Sequence, residues 1–86
     1  MQNRRNAEFR SLYAALPQDI RALADKQYEL LKQDRRHPSL HFKKIGGYWS
    51  VRVGRSHRAL AIEVEAGVFV WFWIGPHDEY ERVIRG

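Results

Sequence analysis

The hydrophobic period of this chain changes once, at Pro38, and that change limits the folds open to it. Before Pro38, Phe9, Leu12, Tyr13 and Leu16 recur at i, i+3, i+4 and i+7. Ile20, Leu23, Ala24, Tyr28 and Leu31 continue the same spacing, which is that of amphipathic helices. After Pro38, polar and apolar side chains alternate at a period of two, the signature of strands. Helices first and strands afterwards make an α+β domain.

Pro17 divides the helical part. Proline is tolerated in a first helical turn, where its missing N–H has no intrahelical partner to lose. Asp19 then sits favourably in the first turn, Lys32 lies near the end, and Pro38 forbids continuation. The spacing predicts an αα-hairpin over residues 6–34. It predicts strands at Leu40–Ile45, Tyr48–Val53, His57–Glu65 and Val68–Ile74. Turns fall at Gly46-Gly47, Gly54-Arg55-Ser56 and Ala66-Gly67, and Gly75-Pro76 ends the last strand. Residues 78–84 suit one or two turns of helix. The expected architecture is two antiparallel helices on one face of an antiparallel sheet of three or four strands.

The segment Val68–Ile74 is apolar on both faces. Simple alternation puts Phe69, Trp71 and Trp73 on one side and Val70, Phe72 and Ile74 on the other. Strands covered on both faces are usually central, whereas a meander would leave this one at the edge. Residues 1–6, the C-terminal turn or another chain must therefore cover it. Residues 1–6 are poor strand formers.

Charge is as unevenly spread as hydrophobicity. The net charge is +5, and residues 35–62 carry seven Lys and Arg and no acid. Residues 1–34 have six basic and five acidic groups, and residues 63–86 have two and five. A basic charge concentrated on one sheet-forming segment points to an anionic partner. Eighty-six residues suit a single domain. The chain has no cysteine, hence no disulfide framework and no thiolate metal site. No apolar segment follows the first charges as in a secretory signal, and no run spans a membrane. A soluble cytoplasmic protein is expected.

The candidate chemistry sits on and just beyond this segment. Arginine matches phosphate oxygens with a planar fork that stays charged, so Arg52 and Arg58 are candidate phosphate binders. His77 follows the Gly75-Pro76 turn. Histidine ordinarily titrates near about pH 6.5 and serves as acid or base at neutrality. Tyr80, one helical turn on, suits stacking on a base, proton donation or plain packing. Lys43 and Lys44 point to opposite sides of their strand, so one contacts backbone phosphates. Arg55, in a turn, is a further RNA contact or a solvated tip. His37 and His41 read as loop histidines and His57 as a packed one. They lack a third ligand, so no metal and no cofactor are expected. The aromatic cluster of Trp49, Phe69, Trp71, Phe72 and Trp73 reads as core.

The ordered set of these segments resembles the RelE/ParE toxin superfamily of bacterial toxin–antitoxin pairs. It comprises the αα-hairpin, His37-Pro38-Ser39-Leu40-His41-Phe42-Lys43-Lys44, Trp49-Ser50-Val51-Arg52-Val53-Gly54, His57-Arg58-Ala59-Leu60, and Trp71-Phe72-Trp73-Ile74-Gly75 with His77 and Tyr80. The resemblance covers about residues 7–84. It implies a basic sheet face that carries the activity and a cognate antitoxin. The basic stretch and the two-sided apolar strand lead us to expect an acidic antitoxin segment on that face or on an exposed sheet edge. RelE-type members cleave mRNA in the ribosomal A site without a metal, and ParE-type members poison DNA gyrase.

By resemblance, Arg58 is the strand arginine after the turn, Arg52 a basic position on the preceding strand, and His77 stands where the family places Arg, His or Tyr. The chain departs from the best-known RelE enzymes at Val83, where those carry a tyrosine. Three functions fit the residues: a ribosome-dependent mRNA endoribonuclease, a non-enzymatic gyrase poison, and an RNA-binding module without chemistry. Arg52, Arg58, His77 and Tyr80 together favour the first.

Overall fold

Asn6 starts the helical part. Its Oδ1 accepts the Phe9 N–H at 2.9 Å, capping α1 (Ala7–Ala14). Pro17 then stands at the N-cap of α2 (Gln18–Gln33), one position before the helix proper. Arg21 reaches back from α2 and donates to the carbonyls of Leu16 at 3.0 Å and Ala14 at 3.4 Å. The Ala14 carbonyl is one that the end of α1 leaves unpaired, and Leu16 lies in the link just beyond it. The computed structural model describes all residues, 1–86.

The two helices lie over different strands: α1 over β5 (Val68–Pro76) and α2 over β3 (Tyr48–Val53). An apolar hollow floored by Val51, Val53, Trp71 and Ile74 separates them. The Tyr13 hydroxyl bridges the pair by donating to Asp25 at 2.6 Å. This differs from a closely packed hairpin.

The first predicted strand, Leu40–Ile45, is shortened. Pro38–Leu40 form one 3₁₀ turn, His41 is left-handed at φ 46°, and β2 covers only Lys43–Ile45. His37 caps that turn through Nδ1, which accepts the Ser39 N–H at 3.2 Å. The turn drops Leu40 into the core, where it is fully buried, and an extended chain would not place it there. β3 and β4 (His57–Glu65) occupy the predicted residues. The turn between them needs Gly54: its φ is +63°, and a Cβ there would stand 2.9 Å from Leu23 Cδ1.

The sheet has five strands in the order β1-β5-β4-β3-β2, where β1 is Gln2–Arg5. β1 runs parallel to β5 and every other pair is antiparallel, so the sheet is mixed and larger than predicted. Residues 2–5 thus provide the cover that β5 requires. Their low strand propensity is overridden by tertiary partners. Gln2 N–H donates to Gly67 O at 2.7 Å, and Asn6 N–H to Trp71 O at 3.1 Å. The buried Trp71 indole donates to Asn3 Oδ1 at 2.9 Å.

β5 also departs from simple alternation. Leu60 pairs with Trp73 and Ala61 with Trp71, so Phe72 is the extra residue of a β-bulge. Beyond the bulge the sides exchange. Ile74 joins Phe69 and Trp71 in the core beneath the helices, and Trp73 moves to the opposite face. That face bears α3 (His77–Arg85), which extends past the expected 78–84 and buries Tyr80 against the sheet. Gly75 is required here, because a Cβ would meet the Trp73 ring at 2.7 Å. Ser50 and Leu60 are fully buried. No helix is long and apolar enough to cross a membrane.

Candidate functional site

Strand register brings the two candidate arginines together. Arg52 and Arg58 are direct partners across β3 and β4, so both project from the face away from α1 and α2. Arg52 is held by a bond from Nε to Gly54 O at 3.0 Å, and its Nη1 lies 3.4 Å from His41 Nε2. Arg58 Nη1 donates to Ser50 Oγ at 3.3 Å. Its guanidinium lies 5.3 Å over the Tyr80 ring, a cation–π arrangement. The ion pairs of the molecule, Lys32–Glu29 and Arg85–Glu81, involve neither arginine. Both guanidinium groups therefore keep their charge uncompensated by a carboxylate contact.

The turn between β3 and β4 supplies the neighbouring wall. His77 N–H donates to Ser56 O at 2.8 Å, which pins the start of α3 to that turn. His77 is exposed, and its ring lies 5.4 Å from the Tyr80 ring. An open cleft results. Arg52, Arg55, Arg58 and His77 line it with His41, His57, Ser56, Asp78 and Pro76, and no apolar side chain but the proline reaches it. Such a surface suits a charged, hydrated ligand rather than an apolar one.

Tyr80 is placed differently from the other candidates. It is 5% exposed and does not line the cleft, lying beneath Arg58 and beside His77. Lys43 and Lys44 lie apart from the cleft, exposed on the edge strand β2. Lys43 pairs with Ser50 and shares the cleft face, whereas Lys44 pairs with Trp49 and faces the other way. No group of three or more His, Asp or Glu side chains is placed to hold a metal ion.

Two contributors carry no strong sequence signal. His41 enters the cleft because the 3₁₀ turn and its left-handed backbone swing it towards Arg52. Ser50 has a weak signal, a small polar residue on the same strand parity as Arg52. Its full burial and its bond from Arg58 appear only in the folded sheet.

No protein-family model and no curated protein matches the sequence. Solved structures do match. A chain of the RelB–RelE antitoxin–toxin complex from Methanococcus jannaschii is similar at 17% identity and TM-score 0.71, over 93% of this chain and 96% of that one. A YoeB/ParE toxin from Agrobacterium tumefaciens is similar at 13% identity and TM-score 0.67, over 90% and 99%. The isolated E. coli RelE toxin is similar at 11% identity and TM-score 0.64, over 98% and 96%. Likeness at such identities, over nearly the whole of each chain, is one of backbone architecture, and the chain has the RelE/ParE-like toxin fold.

Proposed function

We propose that this protein is the toxin of a toxin–antitoxin pair and that it cleaves mRNA on the ribosome, using its own side chains and no metal. The observation that carries the reading is the polar cleft, where Arg52 and Arg58 stand side by side with His77 and have no carboxylate contact. Cleavage by the RNA's own 2′-hydroxyl needs these groups. The 2′-oxygen loses a proton and attacks the adjacent phosphorus. Negative charge builds on the phosphorane oxygens, and the 5′-oxygen leaves with a proton. Arg58, steadied by Ser50 and Tyr80, and Arg52, steadied by Gly54, hold the phosphate as that charge develops. His77 moves one of the two protons, and His41 beside Arg52 is a second imidazole available for the other. The products are a 2′,3′-cyclic phosphate and a 5′-hydroxyl.

The similar chains come from structures that include antitoxin–toxin complexes. An acidic antitoxin segment over the basic face would compete directly with RNA for Arg52, Arg55 and Arg58. The test is expression of the intact protein in a bacterial host. Growth should arrest, and mapping of mRNA ends should find cuts within translated regions bearing cyclic or 3′-phosphate termini. Growth arrest with intact mRNA and inhibited gyrase supercoiling would overturn the nuclease reading in favour of the gyrase poison.

A further inference from the structure

Across the edge of the sheet from the cleft lies a second open concavity. Its base is aromatic. Phe42 and Trp49 stack with ring centres 4.8 Å apart and planes 21° from parallel. Phe69 meets both rings edge-on, at 5.8 and 5.6 Å. Phe42 and Trp49 are only half-buried, so the stack keeps an exposed margin. The Trp71 indole is bound to Asn3, but Trp49 makes no such bond within the protein. No buried side-chain donor is left unpaired, so the Trp49 N–H faces solvent.

The rim of this concavity is basic. Arg35 and Arg36 line it, are exposed, and belong to neither ion pair. Glu63 also lines it, with Oε2 accepting the Gly67 N–H at 2.9 Å. A flat π surface beside unpaired guanidinium groups suits an unpaired nucleobase and its phosphate. An acidic peptide would satisfy the arginines but offer no flat ring to the stack.

Consecutive residues join this place to the cleft. His41 lines the cleft and Phe42 lines the aromatic concavity. Lys43 then faces the cleft side and Lys44 the aromatic side of β2, the outermost strand. A phosphate backbone leaving the cleft would meet Lys43, round the edge, and meet Lys44 beside Trp49.

We propose that Phe42 and Trp49, with Arg35 and Arg36, form a second nucleotide subsite. It takes one unpaired base of the single-stranded RNA that occupies the cleft, and so rests on the RNA-cleaving reading above. The experiment is an anisotropy titration of the intact protein with a short 2′-O-methyl oligonucleotide, which lacks the attacking hydroxyl, and with its abasic counterpart. Trp49→Leu keeps apolar bulk and removes the flat ring. It should weaken binding of the base-bearing oligonucleotide about tenfold, the scale of one lost base stack, and leave abasic binding unchanged. The double substitution Arg35→Glu and Arg36→Glu, at exposed positions, should weaken both. It keeps the test open if Trp49→Leu fails to fold.

Base-bearing and abasic oligonucleotides binding the wild type equally would overturn the subsite. So would wild-type affinity in Trp49→Leu. If Arg58→Ala loses binding while the Trp49 and Arg35/Arg36 variants do not, the cleft reading stands and the subsite falls. If the wild type binds neither oligonucleotide, both fall. If the variants lose affinity for a poly-glutamate peptide but not for RNA, the proposal is overturned and the concavity belongs to a protein partner.

Discussion

At the scale of single residues, the cleft separates side chains that face its open space from those that hold them. Arg58 points its guanidinium at the cleft while Ser50 and Tyr80 fix it from behind. Arg58→Ala should lower single-turnover RNA cleavage about 100–1,000-fold, the cost of removing one donor aimed at developing charge. His77→Ala should cost about 100-fold or more, as for a proton-transfer group. Both sites are at least partly exposed, so circular dichroism should find the fold intact. Tyr80 separates two roles. As a packing residue it tolerates Tyr80→Phe with near-wild-type cleavage, while Tyr80→Ala costs about 3 kcal/mol of stability through the cavity it leaves. If Tyr80→Phe loses as much cleavage as Arg58→Ala while still melting at the wild-type temperature, the hydroxyl takes part in the chemistry.

At the scale of elements, two further polar ties, besides the bonds of Arg21, hold the helices in place. The first is Gln27, 8% exposed on α2, whose amide donates to Ser39 O at 3.2 Å and Arg52 O at 3.0 Å. β2 pairs no further along β3 than Ser50, so on that side the Arg52 carbonyl has no strand to accept from. Gln27 takes that place and fastens the loop before His41 to the site. Gln27→Leu leaves both carbonyls without this donor and should cost about 1–3 kcal/mol, read as a lower urea midpoint at unchanged m-value. The second tie is the bond from Tyr13 to Asp25 between α1 and α2. It raises the Tyr13 pKa above its ordinary 10.0, chiefly through that hydrogen bond, then through burial and the Asp25 charge. A raised folded-state value favours the protonated phenol in the native protein. The stabilisation is therefore complete below the unfolded value and lost as pH rises through the folded one. Melting temperature should fall more steeply in the wild type than in Tyr13→Phe above about pH 10. Parallel curves for the two proteins across that range would remove the tie from the stability account.

For the whole molecule, the decisive feature is that the positive charge of residues 35–62 lies on β2, β3, β4 and the turns beside them rather than on the helices. Binding of single-stranded RNA should weaken with salt by a log–log slope of about −0.7 per phosphate neutralised. Arg58→Ala should reduce the magnitude of that slope by about 0.7 if the guanidinium makes one such contact. Cleavage itself should be unchanged by EDTA. Loss of activity that magnesium or zinc restores would contradict a reaction carried by Arg52, Arg58 and His77 alone.

Some of this was readable in the order of residues, because local patterns record local contrast between water and core. The period change at Pro38 separates helices from strands. Alternation over Tyr48–Val53 places Arg52 on the face opposite Val51 and Val53, and the bounds of β3 and β4 follow from the same pattern. The acid-free segment marks where charge would gather. Other features have no local trace. β1 forms from polar residues because the Trp71 indole finds its acceptor in Asn3, 68 positions away, and because β5 has an open edge to pair. The bulge at Phe72 comes from the register with β4, and it alone decides that Ile74 rather than Trp73 enters the core. His41 reaches Arg52 because burial of Leu40 turns the chain after Pro38. Each of these rests on a hydrogen bond or a buried contact between distant segments, and such a bond exists only once the chain has closed on itself.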